Sequence, residues 1–581
     1  MRARRFFPAH RVAAGFWLAA ASHGSLAPCR AAALQQPPVI LISIDTLRAD
    51  HLSAYGYRRL QTPNIDFFAR QGTLFTDAAC QIPLTLPSHT SLFTSTYPFE
   101  NRIEENAERV PPGAVTLASV LRSHGYKTAA FIGSIFLERQ MGLDQGFNLY
   151  DSPFSFLAGS RISGSMILAG PPRNPYSVRE TRDGALVVLA ALRWLDANRG
   201  QPAFVFLHLF DMHEPYSVPA DVARQRGISR YDAQLEYVDS VLGRLRQGLV
   251  DGGWWDRSLV VLLSDHGEGL GEHGESNHGY FIYQSTLWVP LMFHWPSGAP
   301  SHPARVSQPA GLIDVAPTIL DFLGMPAPPS FEGRSLTEVI AGKEANPREV
   351  YSESLYIHDA FGWAPLRGLR LGQYKYIEAP KAELYDLRQD PHEEHNILAK
   401  DSAEAPVLQG KLKGLLARYA ARRPAQPSDT SPATQALLSS LGYLSGGARP
   451  KSDNSGPDPK DHIAELQLYE RAMDYLSQRR LDEAIAALRQ IVVRNPHNIL
   501  ARRDLGGCYI ERGAYAKARS NFQRVVAVVP DDYMAQLELG IADEHLGLLQ
   551  EAKQHVQAAC QLYPESVQCH RELDALEKKV K

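Results

Sequence analysis

The sequence is poor in cysteine, in net charge and in long apolar segments. Its five cysteines in 581 residues follow no spacing typical of a zinc knuckle. The formal net charge of -3 gives no basis for binding nucleic acid or an anionic membrane surface. The apolar run at residues 12–21 is too short to cross a bilayer as a mature helix. We therefore expect no nucleic-acid partner and no transmembrane segment in the mature chain.

The N-terminus has the order of a secretory signal peptide. Arg2, Arg4, Arg5 and Arg11 precede the apolar run, and small residues follow it up to residue 33. We expect residues 1–33 to direct export, so that the protein is periplasmic or secreted. An anchor in the membrane through the N-terminus is the alternative, because Cys29 follows a weak lipoprotein-type sequence. In an oxidising compartment Cys560 and Cys569 could pair, which their spacing alone does not decide.

Hydrophobic residues are abundant, at 44% of the total, and many of them form short β-branched runs. Residues 39–44, 128–132, 203–209 and 259–264 are predicted to be buried strands, because each is almost wholly apolar. Helical patterns lie between them, and residues 180–198 are strongly amphipathic. Strands that alternate with helices predict an α/β sheet.

Three of these strands are followed by acidic or histidine residues. Asp45 follows the first strand, Asp211 and His213 follow the third, and Asp265 and His266 follow the fourth. In sheets of this kind, ligands bind beyond the carboxyl ends of the strands. One Asp after a strand is usually a turn or cap residue. Three strands that end in this way favour a shared metal site instead.

A short helix is predicted for residues 86–95, with Thr85 at its N-terminus and Pro87 just inside it. A hydroxyl at this position faces free backbone N–H groups and the positive end of the helix dipole, which suits an anionic substrate. Taken alone, Thr85 is most simply a helix cap. The ligands at the strand ends favour a nucleophile.

Four of these residues suit a divalent metal ion. Carboxylate oxygens come from Asp45 and Asp265, and His266 adds a ring nitrogen. With the Thr85 oxygen, this mixed set favours Zn²⁺ or Mn²⁺, and the His makes Ca²⁺ or Mg²⁺ less favoured. A metal ion on the Thr85 oxygen would lower its pKa and make it nucleophilic. The sequence thus predicts one divalent metal ion and an anionic ester substrate.

Two further histidines complete the predicted site. His213 and His278 could donate hydrogen bonds to the ester oxygens or protonate the leaving group. They could instead hold a second metal ion, and the sequence leaves this open. We therefore predict Thr85, His213 and His278 as catalytic residues.

A linker and a repeat region follow. Residues 423–460 are rich in Pro, Ser, Gly and Asp, which is typical of a linker. Residues 461–581 keep one constant spacing in three sets of positions: Pro496, Pro530 and Pro564; Ala484, Ala518 and Ala552; Ala472, Gly506 and Gly540. This spacing is the tetratricopeptide period, and it predicts three helix pairs over residues 463–563 and a capping helix over residues 566–580. Such repeats bind a protein or peptide partner, or serve as a spacer or dimerisation module.

Several longer motifs follow one another over residues 38–400: ILISIDTLRADHLSAYGY (40–57), TLPSHTSLFTS (85–95), SDHGEGLGEHG (264–274), IDVAPTILDFLG (313–324) and ELYDLRQDPHEEHNIL (383–398). In these motifs the sequence resembles the sulfatase family of the alkaline phosphatase superfamily. The resemblance implies a hydrolase domain over residues 38–422, with an α/β sandwich and a small C-terminal antiparallel subdomain. It also implies a metal-dependent site and covalent ester hydrolysis, and the all-α repeat domain then follows.

The resemblance also assigns roles to residues. Asp45, Asp265 and His266 fall on metal-ligand positions of the family. Thr85 falls on the nucleophile position, and His213 falls on a position that binds substrate.

The chain departs from the family pattern around the nucleophile. Sulfatases use Cys or Ser, oxidised to formylglycine, in a Cys/Ser-x-Pro-Ser-Arg motif, whereas this chain has Thr85 and His89 at the two ends of that motif. Thr46 replaces a second acidic ligand, and His266 stands where many sulfatases have Asn. His278 stands where sulfatases usually carry Lys and phosphoethanolamine transferases carry His. These departures favour cleavage of a phosphomonoester or phosphodiester by Thr85.

Three alternatives stay open. The domain could hydrolyse sulfate esters without formylglycine, as a sulfuric ester hydrolase. It could be a phosphoethanolamine-type transferase, although the transmembrane bundle usual in those enzymes is missing from the sequence. It could also be an inactive hydrolase domain whose repeats form a protein-binding scaffold, although a scaffold has no need of the metal ligands.

Overall fold

The computed structural model describes residues 36–106, 108–154, 181–300, 302–344, 346–399, 403–420, 455–562, 564 and 566–580. The described residues from Pro37 onward form one compact unit. The predicted signal peptide lies outside the described residues, as does the predicted linker up to residue 454. Across the described ranges, no helix is both long enough and apolar enough to cross a membrane.

A mixed β-sheet forms the centre of the molecule. Within the described ranges it has nine strands. They are β1 (Val39–Ile44), β2 (Thr73–Ala79), β3 (Lys127–Phe131), β4 (Leu149–Asp151), β5 (Ala203–Leu209), β6 (Leu259–Ser264), β7 (Trp288–His294), β8 (Arg305–Val306) and β9 (Ala310–Gly311). Their order is β4-β3-β5-β1-β6-β7-β2-β8, and β9 also pairs with β2. The strands from β4 to β6 in this order are parallel, and β7 is antiparallel to both β6 and β2.

The central strands β5, β1 and β6 end level with one another. Ile44 of β1 pairs with Leu209 of β5 and with Ser264 of β6. Every residue of the three strands is buried, because both faces of the sheet are covered. The residues that follow these strands therefore meet at one edge of the sheet.

Helices cover both faces of the sheet. Successive residues of β1 point to opposite sides, so that Leu41 joins one apolar core and Ile42 the other. The helices of this part are α1 (Pro63–Arg70), α2 (Thr85–Thr94), α3 (Pro98–Asn101), α4 (Leu117–Ser123), α5 (Gly184–Ala197), α6 (Ala220–Arg226), α7 (Arg230–Asp251), α8 (Gln284–Leu287), α9 (Val315–Phe322), α10 (Thr337–Ile340), α11 (Tyr356–Phe361) and α12 (Glu404–Ala420).

A small antiparallel sheet follows the large one. Its strands are β10 (Glu349–Ser354), β11 (Leu366–Leu371), β12 (Tyr374–Glu378) and β13 (Glu383–Asp386). Leu408 and Leu412 of α12 pack with Tyr351 and Leu369 of this sheet in one apolar cluster. Burial of these side chains fixes α12 across the small sheet.

All the regular secondary structure described in the repeat region is helical. Its helices are α13 (Ile463–Ser477), α14 (Leu481–Arg494), α15 (Ile499–Glu511), α16 (Tyr515–Val528), α17 (Tyr533–His545), α18 (Leu549–Leu562) and α19 (Val567–Val580). A Cβ on Gly540 would lie 2.6 Å from Val556, so a small residue is required where α17 meets α18. Cys560 and Cys569 form a disulfide, which settles the pairing that spacing left open.

The predicted fold class is confirmed: an α/β sheet, a small antiparallel sheet and a helical repeat region. The limits of individual elements differ from the prediction. The helix predicted at residues 180–198 begins only at Gly184, because the Asp183 side chain accepts from the Ala185 N–H at 2.8 Å and caps it. The helix predicted at residues 86–95 includes Thr85 as its first residue.

Candidate active site

The carboxyl ends of β1 and β6 carry three side chains of metal-ligand type. Asp45 follows β1 directly, and its N–H donates to the Leu209 carbonyl of β5 at 2.9 Å. Asp265 and His266 follow β6, and all three side chains are fully buried. The sheet thus brings together ligands that are far apart in the sequence.

Helix α2 brings Thr85 to the same edge. The Thr85 hydroxyl donates to Asp45 Oδ2 at 3.3 Å. Ser88 Oγ donates to the Asp265 carbonyl at 2.7 Å, and this bond ties α2 to the end of β6. Because every residue of α2 is buried, the helix holds the Thr85 oxygen in a fixed position beside the carboxylates.

These side chains fit a divalent cation. One ligand atom each from Asp45, Asp265 and His266 lie within 4.8 Å of one another. Asp45 Oδ1, Asp265 Oδ2 and His266 Nε2 form no hydrogen bond with any described residue. A buried polar atom left in that state costs about 1–3 kcal/mol. Two carboxylates and an imidazole around one buried point are donors that a divalent metal ion satisfies.

Burial and neighbouring charges separate the pKa values of the two carboxyl groups. Burial raises the pKa of Asp45, but the His208 hydrogen bond and the nearby imidazoles offset it, and the pKa is lowered. Burial and the charge on Asp45 raise the pKa of Asp265 well above its usual range. Burial also lowers the pKa of His266 well below its usual range. The protein alone thus favours one negative charge on the pair, and a bound cation would allow both carboxylates to ionise.

His89 holds α2 against β1. Its Nδ1 lies 2.7 Å from the Thr85 carbonyl, and its Nε2 lies 2.9 Å from Ser43 Oγ. Burial lowers the pKa of His89 to about 3, so its ring is neutral at physiological pH. Since both ring nitrogens have partners inside the fold, His89 occupies the place of the family's Arg without its positive charge.

The sequence left open whether His213 and His278 hold a second metal ion. Among the described residues, His213 and His278 belong to no cluster of three side chains that could hold a metal ion. A further cluster of this type is formed by His89, His208 and Asp265. Because the nitrogens of His89 are already hydrogen-bonded, metal binding there would break the links that hold α2.

His213 and His278 lie together beside the ligands. Their ring centroids are 5.1 Å apart, and the His278 ring lies 4.4 Å from that of His266. His278 Nδ1 lies 3.1 Å from Glu268 Oε1. Burial by itself would lower the pKa of His278, but the charge and the hydrogen bond of the Glu268 carboxylate outweigh this effect. The pKa of His278 is therefore raised above its usual value. Burial and the neighbouring His278 lower the pKa of His213, so the pair favours one cationic and one neutral ring.

Glu268 is a site residue that the sequence reasoning missed. It lies three residues after Asp265 in the motif that carries two of the ligands, and this proximity was the available signal. Asp211, which follows β5, makes no hydrogen bond to His213 within the described structure. Its Oδ1 instead accepts from the Gly184 N–H at 3.1 Å. His208 Nε2 lies 3.3 Å from Asp45 Oδ2, so it contacts a predicted metal ligand directly.

Family models match most of the described chain. A model described as "Sulfatase" matches residues 37–325, and one described as "N-sulphoglucosamine sulphohydrolase, C-terminal" matches residues 271–421. Two models described as "Tetratricopeptide repeat" match residues 475–538 and 511–567.

Similar proteins cover about two thirds of the chain. The Delta 4,5-hexuronate-2-O-sulfatase of Bacteroides thetaiotaomicron is 26% identical over 456 residues, which are 68% of this chain and 92% of that protein. The multifunctional alkaline phosphatase superfamily protein PehA of Trinickia caryophylli is 25% identical, over 64% of this chain and 92% of that protein. The crystal structure of the phosphonate monoester hydrolase of Agrobacterium radiobacter is similar in fold, with a TM-score of 0.53, 23% identity and coverage of 66% and 96%. The chain therefore belongs to the sulfatase family of the alkaline phosphatase superfamily, whose members hydrolyse ester bonds, and it continues into C-terminal tetratricopeptide repeats.

Proposed function

We propose that the protein is a metal-dependent ester hydrolase in which Thr85 is the nucleophile. The observation that carries this proposal is the position of the Thr85 hydroxyl, 3.3 Å from Asp45 Oδ2 and beside three candidate ligand atoms that have no hydrogen-bond partner among the described residues. Asp45, Asp265 and His266 would hold one divalent cation, with Zn²⁺ or Mn²⁺ favoured over Ca²⁺ or Mg²⁺, and its Lewis-acid charge would lower the pKa of the adjacent hydroxyl.

The protein's own side chains carry out the remaining steps. Asp45 Oδ2 accepts a hydrogen bond from the Thr85 hydroxyl and orients it; the hydroxyl proton passes to water as the Thr85 oxygen bonds to sulfur or phosphorus and the bond to the leaving oxygen breaks. His278, paired with Glu268, and His213 donate hydrogen bonds to the ester oxygens, and one of them protonates the leaving oxygen. Water then attacks the sulfur or phosphorus atom and releases the Thr85 hydroxyl.

Sulfate esters are the substrate class that the comparisons support best. The family models and the hexuronate sulfatase are named for sulfate-ester or sulfamate hydrolysis. The chain would then act as a sulfuric ester hydrolase without formylglycine, since Thr85 cannot be oxidised to that aldehyde. Attack of water on the sulfur atom would then release sulfate and restore the Thr85 hydroxyl.

Phosphoesters are the second candidate, and Thr85 itself favours them. A threonine oxygen has no route to the aldehyde hydrate of sulfatases, whereas a phosphorylated hydroxyl is a common enzyme intermediate. The relative PehA is described as multifunctional within the same superfamily. Transfer of the group to an acceptor alcohol would use the same first step, and an added alcohol would reveal it by a new ester product.

A panel of matched esters tests the proposal. The full chain is assayed with Zn²⁺, Mn²⁺, Mg²⁺ and Ca²⁺, and after chelation, on aryl sulfate, phosphate, phosphodiester and phosphonate esters with one common leaving group. We expect metal-dependent turnover that Thr85→Ala lowers by roughly a thousandfold or more. Thr94→Ala is the matched control, because it makes the same change at the far end of α2.

The outcomes of this panel separate the candidates. Faster turnover of the sulfate supports the sulfuric ester hydrolase, and faster turnover of any phosphorus ester supports the second candidate. Full activity in Thr85→Ala would remove the nucleophile assignment. Absence of both bound metal and turnover would favour an inactive domain that carries a binding scaffold.

We also propose that the protein is exported and that its repeats bind a protein or peptide partner. The disulfide between Cys560 and Cys569 supports an oxidising compartment, and the tetratricopeptide period supports protein binding. Cell fractionation with N-terminal analysis of the recovered protein tests export. Recovery of the uncleaved chain from the cytosol would contradict it.

A further inference from the structure

The first repeat helix, α13, packs against the hairpin that carries His278. This His278 hairpin, residues 268–278, is closed by backbone bonds from Gly269 N–H to the Asn277 carbonyl (2.7 Å) and from Leu270 N–H to the Ser276 carbonyl (3.0 Å). A Cβ built on Gly274 at its tip would collide with Ile463 Cγ2 of α13. The repeat helix and the hairpin are therefore in direct contact.

Glu470 of α13 is the polar link between the two. Its Oε1 accepts from the Ser276 N–H at 3.1 Å. The same carboxylate also faces the Ser276 hydroxyl and the Asn277 N–H as hydrogen-bond donors. Asn277 thus has its N–H directed to α13 and its carbonyl bonded to Gly269, and His278 is the next residue along the chain.

The contact between α13 and the hydrolase part is also apolar. The Tyr469 ring lies 5.5 Å from that of Phe361 at the end of α11, in an edge-on arrangement. Trp363, which is fully buried, stacks on His462 just before α13. Side chains of the first repeats and of the central sheet belong to one continuous apolar cluster. Such a contact fixes α13 relative to the active site.

The same helix reaches the other candidate substrate histidine. Asp474, one turn after Glu470, lies close enough to Glu214 for their charges to interact. Glu214 directly follows His213 in the sequence. Helix α13 therefore contacts the His278 hairpin and lies near the loop of His213.

We propose that Glu470 is a positioning residue of the active site, so that the first repeat is part of the catalytic unit as well as a partner-binding module. The Glu470 carboxylate holds the backbone of Ser276 and Asn277, and through it the His278 ring beside His213 and His266. This inference rests on the proposed ester hydrolysis, since the position of the His278 ring affects turnover only if His278 contacts the ester.

Three substitutions of Glu470 in the full chain test the proposal. Glu470→Gln keeps the reach of the acceptor and loses the charge, whereas Glu470→Asp keeps the charge and loses the reach by one methylene. Glu470→Ala removes both. Arg471→Ala is the matched control, because it changes the neighbouring residue on the exposed face of α13. Two readouts are used: kcat and KM on an aryl ester that the wild type hydrolyses, and hydrogen exchange of peptides that cover residues 268–278.

We expect Glu470→Asp and Glu470→Ala to lower kcat by about ten- to a hundredfold with a smaller change in KM, because a shift of about 1 Å in a catalytic group has effects of this size. Exchange of the hairpin amides should become faster in both variants. Glu470→Gln keeps one acceptor oxygen at the same reach, so its loss should be smaller than that of Glu470→Asp in both readouts. If Glu470→Ala does not fold, Glu470→Asp carries the test alone.

Two results would overturn the proposal. In the first, Glu470→Asp and Glu470→Ala match Arg471→Ala in both readouts. In the second, the loss of kcat in Glu470→Gln exceeds the loss in Glu470→Asp. The second result would indicate a charge effect in place of positioning. If the wild type hydrolyses no ester, the proposed function fails by itself. Hydrogen exchange then still decides whether Glu470 holds the hairpin.

Discussion

The buried carboxyl group of Asp211 destabilises the folded state when it is ionised. Its Oδ1 accepts from the Gly184 N–H, but its buried Oδ2 has no hydrogen-bond partner among the described residues. Burial raises its pKa to about 6. Ionisation therefore disfavours the folded state: the contribution to stability is complete below about pH 4 and is lost as the pH rises through about 6.

We predict that Asp211→Asn stabilises the protein at neutral pH. The asparagine oxygen can still accept from Gly184, and no charge has to be buried. The gain should be about 1–3 kcal/mol at pH 7 and should vanish below about pH 4. Urea unfolding at pH 4, 5, 6 and 7 measures it, with Asp196→Asn on the exposed side of α5 as the control. A gain that is independent of pH would contradict the argument.

That the candidate metal ligands lie together was predictable from the sequence, because their positions follow from strand ends. Asp45 and Asp265 come directly after apolar runs that can only be buried strands, and the ends of parallel strands meet. The partners of His89 and His278 were not predictable. His89 meets Ser43, and His278 meets Glu268, through packing that no local pattern encodes.

At the scale of elements, the parallel strands β1, β3, β5 and β6 were predicted, whereas strand β2 was missed. Strand β2 carries Asp77 within an apolar run, and its register with β7 shifts between Phe75 and Ala78. Asp77 pairs with Arg370 of β11, in the small sheet at the far end of the hydrolase part of the sequence. A charged residue that is satisfied only by tertiary structure removes the pattern by which a strand is recognised.

The disulfide between Cys560 and Cys569 ties the capping helix α19 to α18. It closes a loop with a sequence separation of 9, which in the chain-entropy model stabilises the folded state by about 2–3 kcal/mol. We predict that a reductant increases the rate of hydrogen exchange in α19 by the factor to which this free energy corresponds. Hydrogen exchange in the central sheet should stay unchanged. The double variant Cys560→Ala/Cys569→Ala should exchange rapidly with or without reductant. Equal protection of α19 in the reduced and oxidised wild type would contradict the prediction.

At the scale of the whole molecule, the repeats were predictable but their docking was not. The tetratricopeptide period specifies how each helix packs on the next. It contains no signal for the hydrolase part, and the contacts there depend on single side chains such as Trp363 and Tyr469. A tandem arrangement of two independent domains would have left these aromatic rings exposed.

We therefore predict that the hydrolase part does not fold stably without the first repeat. A chain that ends at residue 420 would expose Trp363 and Phe361, which are fully buried in the full chain. Loss of a buried aromatic contact surface of this kind costs several kcal/mol, about half of a typical domain's stability. Thermal unfolding and limited proteolysis compare this chain with one that ends at residue 562, which lacks α19 and with it the Cys560–Cys569 disulfide. The shorter chain should aggregate or unfold at much lower temperature, while the longer one should keep the transition of the sheet. A wild-type transition in the shorter chain would instead establish two independent folding units.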